Sequence, residues 1–141
     1  MLPHEAFAKC DIRLVEAQDP DDIFAKVEAH VRRHAPEVEV VRQGSMAPSK
    51  TPLDSPFTAP IRDAIVSAQG AEPLLVPAMG GSLPDYVFTK MLGVPAFVVP
   101  YANHDESNHA PNENMEVERF FVGIKTSAAL LTYLGAMPRK L

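Results

Sequence analysis

The chain has 141 residues, of which 46% are hydrophobic, and its formal net charge at pH 7 is -5. This length allows one ordinary domain or two small pieces. The negative charge argues against partners such as nucleic acid or an anionic membrane surface. The sequence predicts neither a membrane-spanning helix, which needs ~18 consecutive apolar residues, nor a signal peptide. The single cysteine excludes an internal disulfide and indicates a cytoplasmic protein.

The first third of the chain predicts a strand, a helix and a second strand. Apolar and polar residues alternate at 11–16, which indicates a strand with Arg13 on its polar face. Asp19, followed by proline and two further acids, is typical of a helix start, and we expect this helix to run over 20–34. An apolar run at 38–41 then predicts the second strand.

The remainder of the chain predicts alternating helices and strands. Such alternation is typical of an α/β sheet with helices packed against it. In chain order, the predicted elements are a helix within 56–69, a strand at 74–76, a helix ending at Gly93, a strand at 96–99 and a helix at 117–134. One face of the last helix carries five apolar residues: Phe120, Ile124, Ala128, Leu131 and Leu134.

Two polar segments follow the two predicted strands of this second part, and ligands bind open α/β sheets at the carboxyl ends of strands. The first segment is the turn Gly80-Gly81-Ser82, for which two hypotheses remain open. With Asp85, Ser82 forms a capping box that predicts a helix start. Alternatively, the glycines and the helix N-terminus favour an anion such as a carboxylate.

The second polar segment is the loop 103–114, which contains two histidines and three carboxylates. A loop this dense in potential ligands, between an apolar run and a helix, is a candidate site for chemistry. The alternative hypothesis is a solvated turn. The spacing of His104 and His109 fits no closed structural zinc pattern, and Cys10 is far away in the sequence.

Four motifs follow one another along the chain: Asp11-Ile12-Arg13-Leu14-Val15 with Asp19-Pro20, Gly80-Gly81-Ser82-Leu83-Pro84, Gly93-Val94-Pro95, and His109-Ala110-Pro111-Asn112-Glu113. In this order and spacing they resemble the zinc-dependent dipeptidase, deacylase and deacetylase family. This family includes carnosinases, succinyl-diaminopimelate desuccinylases and acetylornithine deacetylases. The Gly-Gly-Ser turn is most similar to the carnosinase-like dipeptidase branch, although Met79 stands where that branch tends to have an acid.

The resemblance implies a fold and a set of site residues. Residues 1–54 would form the second half of an inserted, ferredoxin-like lid (strand-helix-strand) that serves dimerisation. Residues 55–141 would form the C-terminal helix-strand-helix-strand-helix piece of a zinc-hydrolase catalytic domain. The implied residues are His109 as a zinc ligand, Arg13 and Ser82 with the Gly80 and Gly81 backbone as contacts to a substrate carboxylate, and Asn112 and Glu113 as supports of the His109 loop.

The family mechanism uses two zinc ions bridged by a water, with a glutamate as general base. The motifs that supply this base and most ligands precede the lid in family members, and none occurs in this sequence. We therefore expect the C-terminal part of an enzyme that acts on a small peptide or an N-acyl amino acid. This chain would contain no catalytic residue, would bind zinc weakly at most, and would lack the N-terminal catalytic part. It would be inactive alone and would self-associate through exposed apolar edges.

Two alternatives remain open. The chain could instead be a stand-alone, non-catalytic module that binds carboxylates or dimerises. It could also be a small mononuclear metal enzyme built on His104, Asp105, Glu106 and His109. The resemblance assigns no ligand position to the first three of these residues, for which ordering of the loop or capping of a helix is the simpler hypothesis.

Overall fold

The computed structural model describes residues 3–138. The helical elements are α1 (Pro20–His34), α2 (Thr58–Gln69), a π-helical turn (Val87–Met91) and α3 (Val117–Gly135). The chain divides into two compact units. Unit 1 comprises the chain up to Lys50 together with Ala78–Ala96, and unit 2 comprises Thr51–Pro77 and the chain from Phe97 onward. The predicted domain boundary between residues 54 and 55 remains a prediction.

Helix α1 of unit 1 begins where local chemistry predicts it. The Asp19 side chain accepts hydrogen bonds from the backbone N–H groups of Asp21 and Asp22, at 2.9 and 3.0 Å. These bonds satisfy donors that have no partner inside the helix. Proline occupies the first helical position, where its missing N–H has no cost. The predicted helix over 20–34 is therefore confirmed.

The segment after α1 is held to this helix by an arginine. The Arg42 guanidinium lies 5.4 Å from the centre of the Phe24 ring and forms an ion pair with Asp21 at 2.7 Å. Phe24 belongs to a half-buried apolar stripe of α1. Contacts of a cation with a ring and a carboxylate position the chain without backbone pairing.

The four predicted strands, at 11–16, 38–41, 74–76 and 96–99, are not found as paired strands. Between residues 3 and 138 no β-strand is present, so the descriptions strand-helix-strand and helix-strand-helix-strand-helix are wrong for this chain taken alone. The physical reason is that a strand requires hydrogen bonds to a neighbouring strand. An apolar alternation shows only that a segment is suited to such pairing.

The helix predicted to end at Gly93 is present only as the five-residue π-helical turn, and its start is not capped by Ser82. Tyr86 occupies the position before the turn, which has no side-chain capping bond. The backbone N–H of Val87 donates to the carbonyl of Pro84 at 3.1 Å, so the chain turns after Ser82 rather than at it. The capping-box hypothesis is therefore wrong.

In unit 2, α2 packs against α3, and small side chains form the contact. Ala64 of α2 and Thr126 of α3 are fully buried, and Gly123 is buried as well. Gln69 donates from its side-chain nitrogen to the Thr126 hydroxyl at 3.2 Å. Helix α2 ends at Gly70, whose φ of 72° is the left-handed conformation that glycine adopts readily, so the predicted end is confirmed.

The apolar face of α3 is not the face that packs against α2. Phe120 is 56% exposed and Leu131 is 77% exposed. Small residues at the contact allow the two helices to approach closely, which leaves the larger side chains on the other side. The expected exposure of apolar surface is thus present. A separate observation is that no helix within residues 3–138 combines the length and the hydropathy needed to cross a membrane.

Candidate functional site

The chain just before the loop 103–114 of unit 2 is fixed to helix α3 through Tyr101. A Cβ atom added to Gly123 would lie 3.1 Å from Cγ of Tyr101, so the tyrosine ring rests directly on the glycine backbone. The Tyr101 hydroxyl lies 3.2 Å from the hydroxyl of Ser127, one turn further along the helix. These contacts fix the chain two residues before the loop.

Asn103 joins two points of this loop and the start of α3 through one side chain. Its nitrogen donates to a carboxylate oxygen of Asp105 at 2.6 Å and to the side-chain oxygen of Asn114 at 3.1 Å. Its oxygen accepts from the backbone N–H of Glu116 at 3.1 Å, immediately before α3. Asn103 is only 6% exposed. A buried amide with three partners satisfies the general requirement that buried polar groups be hydrogen-bonded.

Asn114 closes the loop from its other end. Its backbone N–H donates to the Glu106 carbonyl at 2.9 Å, and its side-chain nitrogen donates to the Asn112 carbonyl at 3.1 Å. The loop is therefore bridged across its width by main-chain and side-chain bonds. Between these bridges lies the segment that contains His109.

His109 is exposed and has a left-handed backbone, with φ of 60°. Ser107 and Asn112 also have positive φ, at 56° and 65°. Left-handed conformations cost roughly 1–2 kcal/mol for most residues other than glycine, and less for asparagine. The His109 imidazole has no hydrogen-bond partner within residues 3–138, so its nitrogens are available to a ligand.

The Asp105 carboxylate is part of the same network. The hydrogen bond from the Asn103 side chain lowers the pKa of Asp105 below its ordinary value, with smaller contributions from a backbone N–H and from nearby His104. Asp105 is therefore an acceptor that orders the loop, which agrees with the simpler hypothesis for this residue. The side chain of Glu106 has no such bond among the described residues, and its contribution comes from the backbone carbonyl.

The residues of this chain do not form a complete metal site by themselves. Among residues 3–138, no group of three or more histidine, cysteine, aspartate or glutamate side chains is arranged to hold a metal ion. A catalytic zinc ion normally has about three protein ligands. This geometry opposes the mononuclear hypothesis built on His104, Asp105, Glu106 and His109. One accessible imidazole suits a metal ion whose other ligands come from outside the described residues.

The predicted carboxylate contacts lie in unit 1, and two of them touch. Arg13 donates from its guanidinium to the hydroxyl of Ser82, and both residues are exposed. A Cβ atom on Gly80 would meet nothing within 4 Å, and one on Gly81 would meet only the flexible end of Met79. The turn therefore offers an accessible backbone beside an arginine that remains positively charged.

Asn112 and Glu113, predicted as supports of the His109 loop, make no side-chain hydrogen bond within residues 3–138. The bonds that involve Asn112 and Glu113 use backbone atoms: the Asn112 carbonyl accepts from Asn114, and the Glu113 N–H donates to the Ala110 carbonyl at 3.3 Å. Their side-chain roles remain predictions. The sequence motifs assign no role to Asn103, although one signal was present, namely its position between an apolar run and a polar loop.

Comparison with known proteins identifies the family of this chain. The profile of peptidase family M20/M25/M40 matches residues 3–133. The Cys-Gly metallodipeptidase DUG1 of Saccharomyces cerevisiae is 27% identical over 147 residues, covering 98% of this chain and 30% of that protein. The Cys-Gly metallodipeptidase DUG1 of Candida albicans is 28% identical over 149 residues, covering 96% of this chain and 29% of that protein. The chain thus spans less than a third of the length of these relatives.

A solved structure extends the likeness to the fold. The crystal structure of an M20 family metallo-carboxypeptidase, Sso-CP2 from Sulfolobus solfataricus, has a TM-score of 0.79 to this chain at 24% identity. The match covers 88% of this chain and 29% of that chain. The α/β class predicted from the sequence is therefore supported by this neighbour, although no strand ladder forms among residues 3–138. Because the family match extends over almost the whole sequence, this chain belongs to peptidase family M20/M25/M40, as its four motifs predict.

Proposed function

We propose that this chain supplies the carboxyl-terminal part of a binuclear zinc peptidase or amidohydrolase that cleaves dipeptides or N-acyl amino acids. The observation that carries the proposal is the exposed His109 imidazole on a loop held by hydrogen bonds, in a chain of a metallopeptidase family. The two relatives named as Cys-Gly metallodipeptidases favour a dipeptide substrate. The single cysteine fits a reducing compartment, and a cytoplasmic location is part of the proposal.

Each part of the chain has a role in this proposal. Residues 1–54 belong to the lid and residues 55–141 to the catalytic domain. His109 is one zinc ligand. Arg13 and Ser82, with the backbone at Gly80 and Gly81, bind the carboxylate end of the substrate. Bidentate or charge-assisted hydrogen bonds from an arginine suit a carboxylate particularly well.

The general base and the remaining zinc ligands come, in this proposal, from a part of the enzyme outside these 141 residues. The chain alone then cannot activate water, because it brings neither a complete metal site nor a carboxylate base. The test is to sequence the transcript upstream of the codon for Met1. We expect an open reading frame with a His-x-Asp motif and two adjacent glutamates. An in-frame stop codon directly upstream would contradict the proposal.

The contact between Arg13 and Ser82 also favours a second candidate, a stand-alone module that binds carboxylates without zinc. This candidate includes dimerisation, because α3 exposes a face with Phe120 and Leu131. It predicts a folded, monodisperse chain. The first candidate predicts instead a chain that self-associates until its missing part covers the exposed apolar surface. Size-exclusion chromatography with light scattering distinguishes the two.

Under either candidate, substitution of Arg13 by alanine is expected to weaken the binding of N-acetylglycine about tenfold. A hydrogen bond to a charged group contributes about 1.5–3 kcal/mol when geometry is good, and exposure reduces this value. Arg13→Lys keeps the charge but loses the planar fork, so an intermediate affinity is expected. The measurement is a ligand titration in which the backbone amide signal of Ser82 is followed by NMR.

Arg33→Ala is the matched control, because Arg33 is exposed in the same unit and has no ion pair among the described residues. We expect it to leave the affinity unchanged within about twofold, the size of a long-range charge effect at physiological salt. Equal losses in the two variants would show that the carboxylate responds to net charge alone, which would contradict a specific contact with Arg13.

A further inference from the structure

Asn103 differs from every other residue of the loop 103–114 in its burial. It is the one buried residue of this segment, and all others are exposed or half-buried. Burial of an amide without hydrogen bonds would cost roughly 1–3 kcal/mol. Asn103 avoids this cost only because the loop returns to it, so its burial and the loop conformation depend on each other.

The partners of Asn103 show how it constrains the loop. Asp105 lies at the beginning of the loop, Asn114 at its end, and Glu116 at the start of α3. One rigid amide plane therefore fixes the separation of the two ends. Asn114 in turn holds the middle of the loop, because it donates hydrogen bonds to the carbonyls of Asn112 and Glu106.

The loop needs such a constraint, because its backbone is strained. Ser107, His109 and Asn112 all have positive φ within six residues. Conformations of this kind persist only where the surrounding structure holds them, and they relax when those contacts are removed. Two local turns close around these residues: the Ala110 N–H donates to the Ser107 carbonyl at 2.9 Å, and the Glu113 N–H donates to the Ala110 carbonyl at 3.3 Å. Both turns are exposed, and the bonds of the buried Asn103 and of Asn114 join them to the rest of the loop.

We propose that Asn103 is the positioning residue of this site, whose buried amide holds His109 in the left-handed conformation that presents its imidazole to a ligand. The meaning of this role rests on the proposed function, in which His109 is a zinc ligand. The conformational effect itself does not, and it is measured without zinc.

The two sides of the Asn103 amide allow a selective test. Its oxygen accepts a hydrogen bond from the N–H of Glu116 at the start of α3, whereas its nitrogen donates to residues of the loop. Asn103→Asp keeps an oxygen for Glu116, and a negative charge at a helix N-terminus is favourable. It also removes both donors and places a second carboxylate beside Asp105. Asn103→Ala removes both functions, so the aspartate variant decides the result if the alanine variant fails to fold.

The experiment is NMR of the purified, zinc-free chain at neutral pH. Residues with positive φ show a strong cross-peak between their own amide and α protons. In Asn103→Asp we expect this signature to disappear at His109 and Asn112, and the Asn114 amide to exchange with solvent at least about tenfold faster, as expected when a local opening replaces a stable hydrogen bond. The α3 amide signals should stay in place, while the melting temperature should fall by a few degrees, because a carboxylate replaces a hydrogen-bonded amide at a buried position.

Asn108→Ala is the control, because Asn108 lies in the same loop, is exposed and makes no side-chain hydrogen bond within residues 3–138. It should leave every signal in place. Persistence of the His109 signature in Asn103→Asp would overturn the proposal, as would loss of the α3 signals together with those of the loop, which would mean a general structural role. If the signature is lost as expected but added zinc does not move the His109 signals of the wild type, the positioning role stands and the proposed function fails.

Discussion

Substitution of His109 by alanine is expected to raise the dissociation constant for zinc binding at the loop 103–114 by at least about tenfold. Loss of groups that only support a ligand typically costs 10–100-fold in metal affinity, so loss of the ligand itself should cost no less. The imidazole is exposed and has no competing bond within the described residues, which leaves it free to bind. The measurement is a zinc titration in which the loop amides are followed by NMR.

A residue-resolved measurement is necessary because the chain has a second pair of imidazoles. His30 and His34 lie one turn apart on α1, with ring centres 4.5 Å apart, so they would add their own response to any bulk measurement. His104→Ala is the matched control within the loop, because His104 is exposed and the resemblance assigns it no ligand position. An unchanged loop response in His109→Ala, or an equal loss in His104→Ala, would refute the assignment.

Substitution of Gly123 by leucine is expected to destabilise unit 2 by about 1 kcal/mol. Its Cβ would lie 3.1 Å from Cγ of Tyr101, and the further leucine atoms would have to displace the ring. Overpacking of a close contact typically costs 1–3 kcal/mol, of which better helix propensity recovers at most about 1 kcal/mol. Urea denaturation followed by circular dichroism gives the free energy of unfolding.

Gly135→Leu is the control for this substitution. Gly135 is the last residue of the same helix, and a Cβ atom there would meet nothing within 4 Å. We expect no destabilisation, because only the change in helix propensity acts at this position. Equal destabilisation by both leucines would show that the contact with Tyr101 does not matter. Because Tyr101 precedes the loop, Gly123→Leu should also shift the amide signals of residues 103–114.

The helices could be predicted because their signals are local. Asp19 and the proline after it set the start of α1, and Gly70 sets the end of α2 through its own backbone conformation. These features act within one turn of the chain. They operate in the same way whatever the rest of the chain packs against.

The strands could not be confirmed, because pairing depends on residues that are distant in sequence. The segments at 11–16 and 96–99 have the composition of strands, but neither is paired as a β-strand within residues 3–138. The exposed face of α3 has the same origin. Phe120 and Leu131 indicate a surface suited to packing, and under the proposed function the catalytic part outside these residues would cover it.

The candidate site was predictable in its residue types but not in its bonds. The motif containing His109 was recognisable from the sequence, and Arg13 with Ser82 was predicted as a carboxylate contact. That Ser82 accepts from Arg13 rather than capping a helix depends on a contact across 69 positions of sequence. The role of Asn103 depends on the return of the chain at Asn114 and Glu116, which no local pattern reveals.

The zinc content and dipeptide turnover of the purified chain show whether these 141 residues can act alone. The chain is loaded with zinc, dialysed, analysed for metal, and assayed with Cys-Gly and with an N-acetyl amino acid. We expect well below one zinc ion retained per chain, because one imidazole falls short of the roughly three protein ligands of a catalytic site. We also expect hydrolysis no faster than in buffer with zinc alone. Retention of two zinc ions with turnover of a dipeptide would show instead that the chain is a complete enzyme.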